Sequence, residues 1–266
     1  MKTCKAYNPY DMLNKENIYK SLNNKHEIEI FDKIDSTNNY LKSCYKNNKK
    51  EFHIVIANSQ TNGKGRLNRQ FYSPSNNGIY FSFLLFPKIP LEDCVFLTTI
   101  AAVSVYRAIK KVFSLETQIK WVNDIYCKGK KLCGILTESS FDSIANKLNY
   151  AIVGIGINFK KSQFPNDISN IAISLEECVK ITCDKNTLIA EIINNFEELY
   201  NKLPNKEFIE EYREKSMLIG KKVTVIQNDI SYEAKVLDID ENANLVVNDN
   251  NGIEHTLFHG EVSLKI

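Results

Sequence analysis

Three apolar segments with the character of buried strands restrict the possible folds more than any other feature of this sequence. They cover 53–58, 78–86 and 149–158, and polar or glycine-containing turns bound them. The segment 92–113, between the second and the third, carries apolar residues at helical spacing. Buried strands and amphipathic helices in one chain predict a central sheet with helices packed against it.

The hydrophobic period changes after residue 217. Before this point, helical patterns cover 186–203 and 206–217. After it come short strands separated by Asn, Asp and Gly turns, which is typical of a small all-β barrel, at 223–226, 232–239, 245–248, 254–258 and 262–265. We therefore predict three parts: a short N-terminal extension over 1–26, a main domain over 27–217 and a barrel over 218–266.

The charge and cysteine content argue against several classes of protein. Lys and Arg number 34 against 32 Asp and Glu, so the net charge of +2 lacks the basic excess that a general nucleic-acid-binding surface needs. The seven cysteines include no Cys-x-x-Cys pair, which argues against structural zinc and a disulfide framework. The sequence shows neither a signal peptide nor a membrane-spanning apolar run. We expect a cytoplasmic protein with no membrane association.

The loop over 63–69 concentrates three cations and two glycines in seven positions, Gly-Lys-Gly-Arg-Leu-Asn-Arg. It matches neither the P-loop pattern nor the dinucleotide-binding pattern. Glycines let the backbone approach a ligand closely, and Lys64, Arg66 and Arg69 supply positive charge for an anion. The loop is therefore a candidate anion-binding site, although a basic loop exposed to solvent has the same composition.

Three further polar features lie in or beside predicted strands. The corner 35–38 offers helix-capping side chains, which are mostly structural but can also hold an anion. Lys120 ends a strand beside Trp121. If this lysine is buried, it needs an anionic partner, whereas an exposed lysine on an edge strand needs none. The strand 149–158 contains two glycines, which accompany either a bulge or a ligand against the backbone.

Taken together, these features resemble the motifs of biotin–protein ligases and occur in the same order along 27–266. The residues that carry the resemblance are Asp35-Ser36-Thr37-Asn38, the loop 63–69 followed by Ser73-Pro74, Lys120-Trp121-x-Asn123-Asp124, Lys131-Leu132-x-Gly134-Ile135-Leu136-x-Glu138, Gly154-Ile155-Gly156-Ile157-Asn158 and the closing Gly260-Glu261-Val262-Ser263-Leu264. Each motif is weak alone, but the first five, in order at compatible spacing, are specific, and the closing segment adds to them.

The resemblance implies an α+β fold. It consists of a class II aminoacyl-tRNA-synthetase-like catalytic domain, with a central mixed sheet and flanking helices, and a C-terminal SH3-like β-barrel. It also implies a reaction in two steps. The biotin carboxylate attacks the α-phosphate of ATP, which gives biotinyl-5′-AMP and pyrophosphate, and a carrier-protein lysine then attacks the mixed anhydride. The implied substrates are biotin and ATP with Mg²⁺.

Individual roles follow from the same resemblance. Lys120, Arg66 and Arg69 are the expected catalytic residues, because two anions meet in the first step and their repulsion must be neutralised. The expected biotin contacts are Ser36, Thr37, Asn38, Gln60, Gly63, Lys64, Gly65, Arg66, Lys120, Gly134, Leu136, Gly154 and Gly156. The expected ATP and adenylate contacts are Arg66, Arg69, Lys120, Asn123 and Asn158. No firm metal ligand is assigned, and Asp124 is either an indirect partner of Mg²⁺ or a structural residue.

Three positions depart from the usual family pattern. Lys64 replaces an arginine, Asn68 a glycine and Val122 a proline, and none of these changes removes a charge that the reaction needs. Some members of the family carry an N-terminal DNA-binding winged helix. The segment 1–25 is too short for one, so we expect no sequence-specific DNA binding.

The expected partner is a biotin carboxyl carrier protein or a biotin-dependent carboxylase. The sequence does not distinguish a monomer from a homodimer formed by pairing of sheet edges. Two other functions share the pocket. A lipoate or octanoyl attachment enzyme has the same catalytic fold, and a non-catalytic biotin or nucleotide sensor would bind without turnover. The intact cations Lys64, Arg66, Arg69 and Lys120 favour an enzyme over a sensor. The five ordered motifs argue against a domain without a ligand.

Overall fold

The computed structural model of the protein describes residues 12–45, 50–142, 147–227, 230–258 and 260–264. The helices in these ranges are α1 (Lys15–Ser21), α2 (Thr37–Cys44), α3 (Val95–Phe113), α4 (Leu175–Cys178), α5 (Lys185–Asn201) and α6 (Phe208–Glu214). The strands are β1 (Ile28–Ile34), β2 (His53–Gln60), β3 (Gly78–Leu85), β4 (Gln118–Lys120), β5 (Asp124–Cys127), β6 (Lys130–Asp142), β7 (Lys147–Asn158), β8 (Lys222–Gln227), β9 (Ile230–Ile239), β10 (Leu245–Asp249), β11 (Glu254–Leu257) and β12 (Glu261–Leu264).

The first seven strands form one mixed sheet in the order β1-β2-β3-β7-β6-β5-β4. Strands β1 and β2 are parallel, and every other neighbouring pair is antiparallel. Strands β3, β7 and β6 lie at the centre, as the apolar composition of 78–86 and 149–158 predicts. The expected α+β fold with a mixed central sheet is therefore confirmed.

Alternate residues of the central strands point to opposite faces of this sheet. On β3, Ile79, Phe81 and Phe83 join the large core that α3 and α5 cover. Leu84 points the other way and packs with Leu41 of α2. The short helix α2 covers only part of this second face, and the rest of the face is available for a site.

The last five strands form a second, wholly antiparallel sheet in the order β11-β10-β9-β8-β12. Its buried residues belong to the same hydrophobic cluster as those of the main sheet. Hydrogen bonds also connect the second sheet to the rest of the protein: Trp121 Nε1, just after β4, donates to Ala243 O at 2.9 Å, and Arg213 Nε of α6 donates to Ile239 O at 2.6 Å. The second sheet is thus docked through a buried interface, and the predicted boundary at 218 stays a prediction.

Most predicted elements appear within two or three residues of their expected bounds. The helix α4 was missed because its single turn is too short to show a period, although Ser174 and Glu177 form a capping box there. Residues 1–11 of the expected N-terminal extension lie outside the described residues. No helix within the described residues has the length and hydrophobicity to cross a membrane.

Candidate active site

A cavity opens on the free face of the main sheet. Strands β6 and β7 form its floor, and α2, the β2–β3 loop (residues 61–77) and the segment 168–172 form its walls. The lining residues are Ser36, Thr37, Asn38, Gln60, Lys64, Gly65, Arg66, Arg69, Gln70, Phe71, Tyr72, Asn123, Asp124, Lys131, Gly134, Ile135, Leu136, Gly154, Ile155, Gly156, Asn158, Ile168, Ile171, Ala172 and Glu261.

Glycines in the middle of strands create the space for this cavity. Gly134 pairs with Gly156 across β6 and β7, and Leu136 pairs with Gly154. The register is regular through these pairs, so the glycines do not mark a bulge, which was one of the two expectations for 149–158. A Cβ at Gly156 would lie 2.6 Å from Phe71 Cε1, and one at Gly154 would collide with Asn38 Oδ1. The glycines therefore admit other groups against the backbone.

One end of the cavity is rich in neutral hydrogen-bonding groups. The backbone N–H of Thr37 donates to Gln60 Oε1 at 2.9 Å, and Gln60 Nε2 donates to Ser73 Oγ at 3.0 Å. Ser36 and Thr37 are almost fully buried at the beginning of α2. Ser36 is the N-cap residue, but its side chain makes no capping hydrogen bond. This end of the cavity can bind a neutral polar group through hydroxyl and amide side chains.

The basic part of the β2–β3 loop lies over the cavity and contacts residues from several elements. Lys64 Nζ is 3.1 Å from Glu138 Oε1. Arg66 donates from Nη1 to Asn123 Oδ1 at 3.2 Å and from Nη2 to Gly260 O at 3.1 Å. The closed position of the loop thus depends partly on the backbone just before β12.

The turn of this loop explains one departure from the family pattern. Leu67 and Asn68 have φ values of 53° and 58°, in the left-handed region. Glycine adopts this conformation at no cost, and asparagine does so more readily than most other residues. Asn68 therefore fits the turn that the usual glycine would make. The turn is closed by a hydrogen bond from the Gly65 N–H to Arg69 O at 2.7 Å.

A second ion pair connects the loop to the second sheet. Arg69 Nη1 lies 2.6 Å from Glu261 Oε1, and Glu261 also lines the cavity. The guanidinium of Arg69 is largely exposed, so we attach little stability to this pair. An arriving phosphate would compete with Glu261 for Arg69.

Two lysines lie near the middle of the site, and the structure separates their positions. Lys131 lines the cavity, and its Nζ is 2.7 Å from Asp124 Oδ1. Lys120 Nζ lies 5.4 Å from the centre of the Tyr126 ring and interacts electrostatically with charged residues of the cavity wall, namely Asp124, Lys131, Glu261 and Arg69. Among the described residues, no carboxylate lies within 4.0 Å of Lys120 Nζ. Burial lowers the pKa of Lys120, and the charge of Asp124 opposes this effect.

The two asparagines expected at the adenylate line the cavity and bond to the backbone. Asn123 Nδ2 donates to Ile135 O at 2.7 Å, which leaves its Oδ1 for Arg66. Asn158 Nδ2 lies 3.2 Å from Ile173 O and 3.4 Å from Lys131 O. These bonds fix the orientation of both amides at the wall of the cavity.

All but two of the residues expected at the site line this one cavity. The exceptions are Gly63, whose carbonyl accepts a hydrogen bond from Phe71 N at 2.8 Å, and Lys120. Sequence reasoning missed Phe71 and Lys131 as site residues. Lys131 belonged to a motif that was recognised without a role, and Phe71 is an aromatic residue in an otherwise polar loop.

Comparisons with known proteins agree with this site. Residues 30–158 match the model of the Biotin/lipoate A/B protein ligase family. The bifunctional ligase/repressor BirA of Bacillus subtilis is 33% identical over 241 residues, which cover 88% of this chain and 72% of that protein. The biotin–[acetyl-CoA-carboxylase] ligase of Mycobacterium tuberculosis is 26% identical and is matched over 64% of its length and 65% of this chain.

A solved structure extends the similarity to the fold. The biotin protein ligase of Aquifex aeolicus in complex with biotin and ATP superposes with a TM-score of 0.76 at 27% identity, covering 90% of this chain and 98% of that chain. The same ligase in its apo form gives a TM-score of 0.74. Similarity over both sheets, together with the motif-bearing cavity, leads to one conclusion: the chain belongs to the Biotin/lipoate A/B protein ligase family, among its biotin protein ligases.

Proposed function

We propose that this protein joins biotin to ATP to give biotinyl-5′-AMP and pyrophosphate, and then transfers biotin to a lysine of a carrier protein. The observation that carries the proposal is the polarity of the cavity. Neutral hydrogen-bonding groups, Thr37 and Gln60, lie at one end, and Lys131, Arg66 and Arg69 supply cations elsewhere on its walls. Biotin has the matching polarity, with a neutral ureido ring and a carboxylate joined by an apolar chain.

In this proposal, the cations allow two anions to approach each other. Lys131 binds the biotin carboxylate, and Arg66 and Arg69 bind the phosphates, so that their repulsion falls before the carboxylate oxygen attacks the α-phosphorus. Pyrophosphate is the leaving group, and Mg²⁺ enters with ATP as part of the substrate. Asp124 holds Lys131 in place through their 2.7 Å ion pair, which agrees with a structural role for this carboxylate.

Transfer to the carrier needs an amine but no further nucleophile from this chain. The ε-amine of a lysine on a biotin carboxyl carrier protein or a carboxylase attacks the carbonyl of the mixed anhydride, and AMP leaves. We further propose that 27–217 is a class II aminoacyl-tRNA-synthetase-like catalytic domain and that 218–266 is an SH3-like barrel. The position of Gly260 and Glu261 against the β2–β3 loop supports a role for this barrel in closing the site.

Pyrophosphate release without a carrier protein tests the proposed first step. We expect ATP, Mg²⁺ and biotin to give a burst of about one pyrophosphate per active site, followed by slow turnover, because the adenylate stays in the closed cavity. Lipoate in place of biotin is the matched control and should give no burst. A burst with lipoate alone would reassign the substrate. Biotin binding in calorimetry without pyrophosphate release would indicate a sensor instead of an enzyme.

Replacing Arg66 by alanine is expected to speed the loss of biotinyl-AMP from the protein about tenfold, since the loop loses two hydrogen bonds to Asn123 and Gly260. Dissociation and hydrolysis of radiolabelled adenylate measure this rate. The control is Arg107→Ala, which removes an arginine paired with Glu211 outside the cavity and should leave the rate unchanged. An unaltered rate in the Arg66 variant would contradict the role of the loop as a clamp.

A further inference from the structure

A chain of side-chain hydrogen bonds runs beneath the cavity from Glu138 to Thr37. Glu138 Oε2 accepts from Asn38 Nδ2 at 2.9 Å, Ser82 Oγ donates to Asn38 Oδ1 at 2.6 Å, and Ser82 Oγ lies 2.6 Å from Thr37 Oγ1. The members come from different elements: β6, α2 and β3. Asn38, Ser82 and Thr37 are each at least 96% buried, so water does not compete for these bonds.

The charge at one end of this chain determines the direction of every bond in it. An ionised carboxylate can only accept hydrogen bonds, so the NH₂ group of Asn38 must face Glu138. The carbonyl of Leu136, 3.5 Å from the same Nδ2, is a second acceptor on that side. The amide oxygen of Asn38 therefore faces Ser82, and the Ser82 hydroxyl donates its single proton to this oxygen.

The proton of Thr37 must then be donated to Ser82. The Thr37 hydroxyl can donate to either of two oxygens, Ser82 Oγ at 2.6 Å or Gln60 Oε1 at 3.2 Å, and the Gln60 oxygen already accepts from Thr37 N at 2.9 Å. Two oxygens 2.6 Å apart require a proton between them, and Ser82 has already donated its own. A hydroxyl has one proton and two lone pairs, so Thr37 presents only acceptor capacity to the cavity that it lines.

We infer that Glu138 and Ser82 are positioning residues that make Thr37 an obligatory hydrogen-bond acceptor in the pocket. Neither residue lines the cavity, so both act through Asn38 and Thr37. The inference rests on the proposed function: the group that Thr37 selects is an N–H donor, which the ureido ring of biotin supplies and the dithiolane ring of lipoate lacks. Selection for a ureido ring over a dithiolane ring thus depends on the Glu138 carboxylate, which is four hydrogen bonds away from the ligand.

The alternative role of Glu138 is to hold Lys64, and the two roles make different predictions. Glu138 Oε1 is 3.1 Å from Lys64 Nζ, while its other oxygen serves Asn38. If Glu138 acts on the ligand through Asn38, its removal must be coupled energetically to the removal of Ser82. If it acts only through Lys64, the effects of Glu138 and Ser82 must be independent, since residues without a shared partner show additive effects.

A double-mutant cycle on biotin affinity tests the inference. Glu138→Gln keeps the shape of the side chain but can also donate, and Ser82→Ala removes the hydroxyl between Asn38 and Thr37. We expect each variant to weaken biotin binding in calorimetry about tenfold, and the double variant to bind no more than about twentyfold more weakly than wild type. Desthiobiotin, which keeps the ureido N–H groups, should lose affinity in parallel, and the affinity for ATP should stay unchanged.

Ser104→Ala is the matched control for Ser82→Ala. Its hydroxyl is equally buried and donates at 2.7 Å to Ile100 O within α3, away from the cavity, so biotin affinity should not change. Additive losses, about a hundredfold in the double variant, would overturn the inference while leaving the proposed function intact. Equal losses for ATP and biotin would also overturn it. A wild-type protein that fails to bind biotin would instead overturn the proposed function itself.

Discussion

Replacing Lys131 by glutamine is expected to lower kcat/KM for pyrophosphate release from ATP and biotin about a hundred- to a thousandfold. Lys131 is the lysine on the cavity wall, and its loss leaves the biotin carboxylate and the α-phosphate without the cation between them. Glutamine is shorter than lysine but remains polar, and it removes the positive charge. ATP–pyrophosphate exchange measures the effect on the chemical step without a carrier protein.

Lys120→Gln is the matched comparison. The family resemblance assigns the catalytic charge to Lys120, whose ammonium lies over Tyr126 and interacts electrostatically with Asp124, whereas Lys131 is the lysine that lines the cavity. We therefore expect the Lys120 variant to lose less activity than the Lys131 variant. A larger loss at Lys120 would confirm the assignment made from the sequence. Thermal unfolding of both variants controls for the partly buried Asp124, which loses its ion-pair partner in Lys131→Gln.

Replacing Gly154 by alanine is expected to weaken biotin binding about thirtyfold or more. The new Cβ would overlap Asn38 Oδ1, so the Asn38 amide must move and lose its bonds to Ser82 and Glu138. Two lost hydrogen bonds of ordinary strength correspond to this change in affinity. Overpacking at the centre of the sheet should also lower the free energy of unfolding by about 1–3 kcal/mol. Calorimetry with biotin and chemical denaturation measure the two effects.

Gly156→Ala provides a graded comparison on the same strand. Its Cβ would meet the ring of Phe71, which belongs to the β2–β3 loop and can rotate or shift with it. We expect a smaller loss of stability than at Gly154, where the new Cβ meets the Asn38 amide, which hydrogen bonds from β3 and β6 hold in place. Equal losses of stability at both positions would show that Asn38 is no more rigidly held than Phe71.

The sequence predicts the layers of the fold because its strongest signal is hydrophobic alternation, and alternation determines which residues face the core. It also locates the loop cations and the strand glycines, since these residue types are rare in their settings. Lys131 illustrates what local patterns miss. Its place on the cavity wall depends on the β5–β6 hairpin, whose register shifts between Ile125 and Tyr126.

Ser82, behind the cavity, was missed for a related reason. Ser82 is one hydroxyl in an apolar strand, and its partners Thr37 and Asn38 are more than forty positions earlier in the chain. The contact of Arg66 with Gly260 spans 194 residues. No periodicity within a segment carries such information, because these contacts arise only when strands from distant parts of the chain pair in one register. A polar residue inside an otherwise apolar strand is the one local signal that could have identified Ser82.

The buried bond between Trp121 and Ala243 has an optical consequence. Trp121 is the only tryptophan in the sequence and is 4% exposed, with its indole N–H directed into the second sheet. Separation of the sheets would transfer this indole to water and move its emission to longer wavelength. The unmodified chain therefore carries its single tryptophan at the junction of its two sheets, near the Asn123 that holds Arg66. Docking of the second sheet can be followed in real time during catalysis without a label.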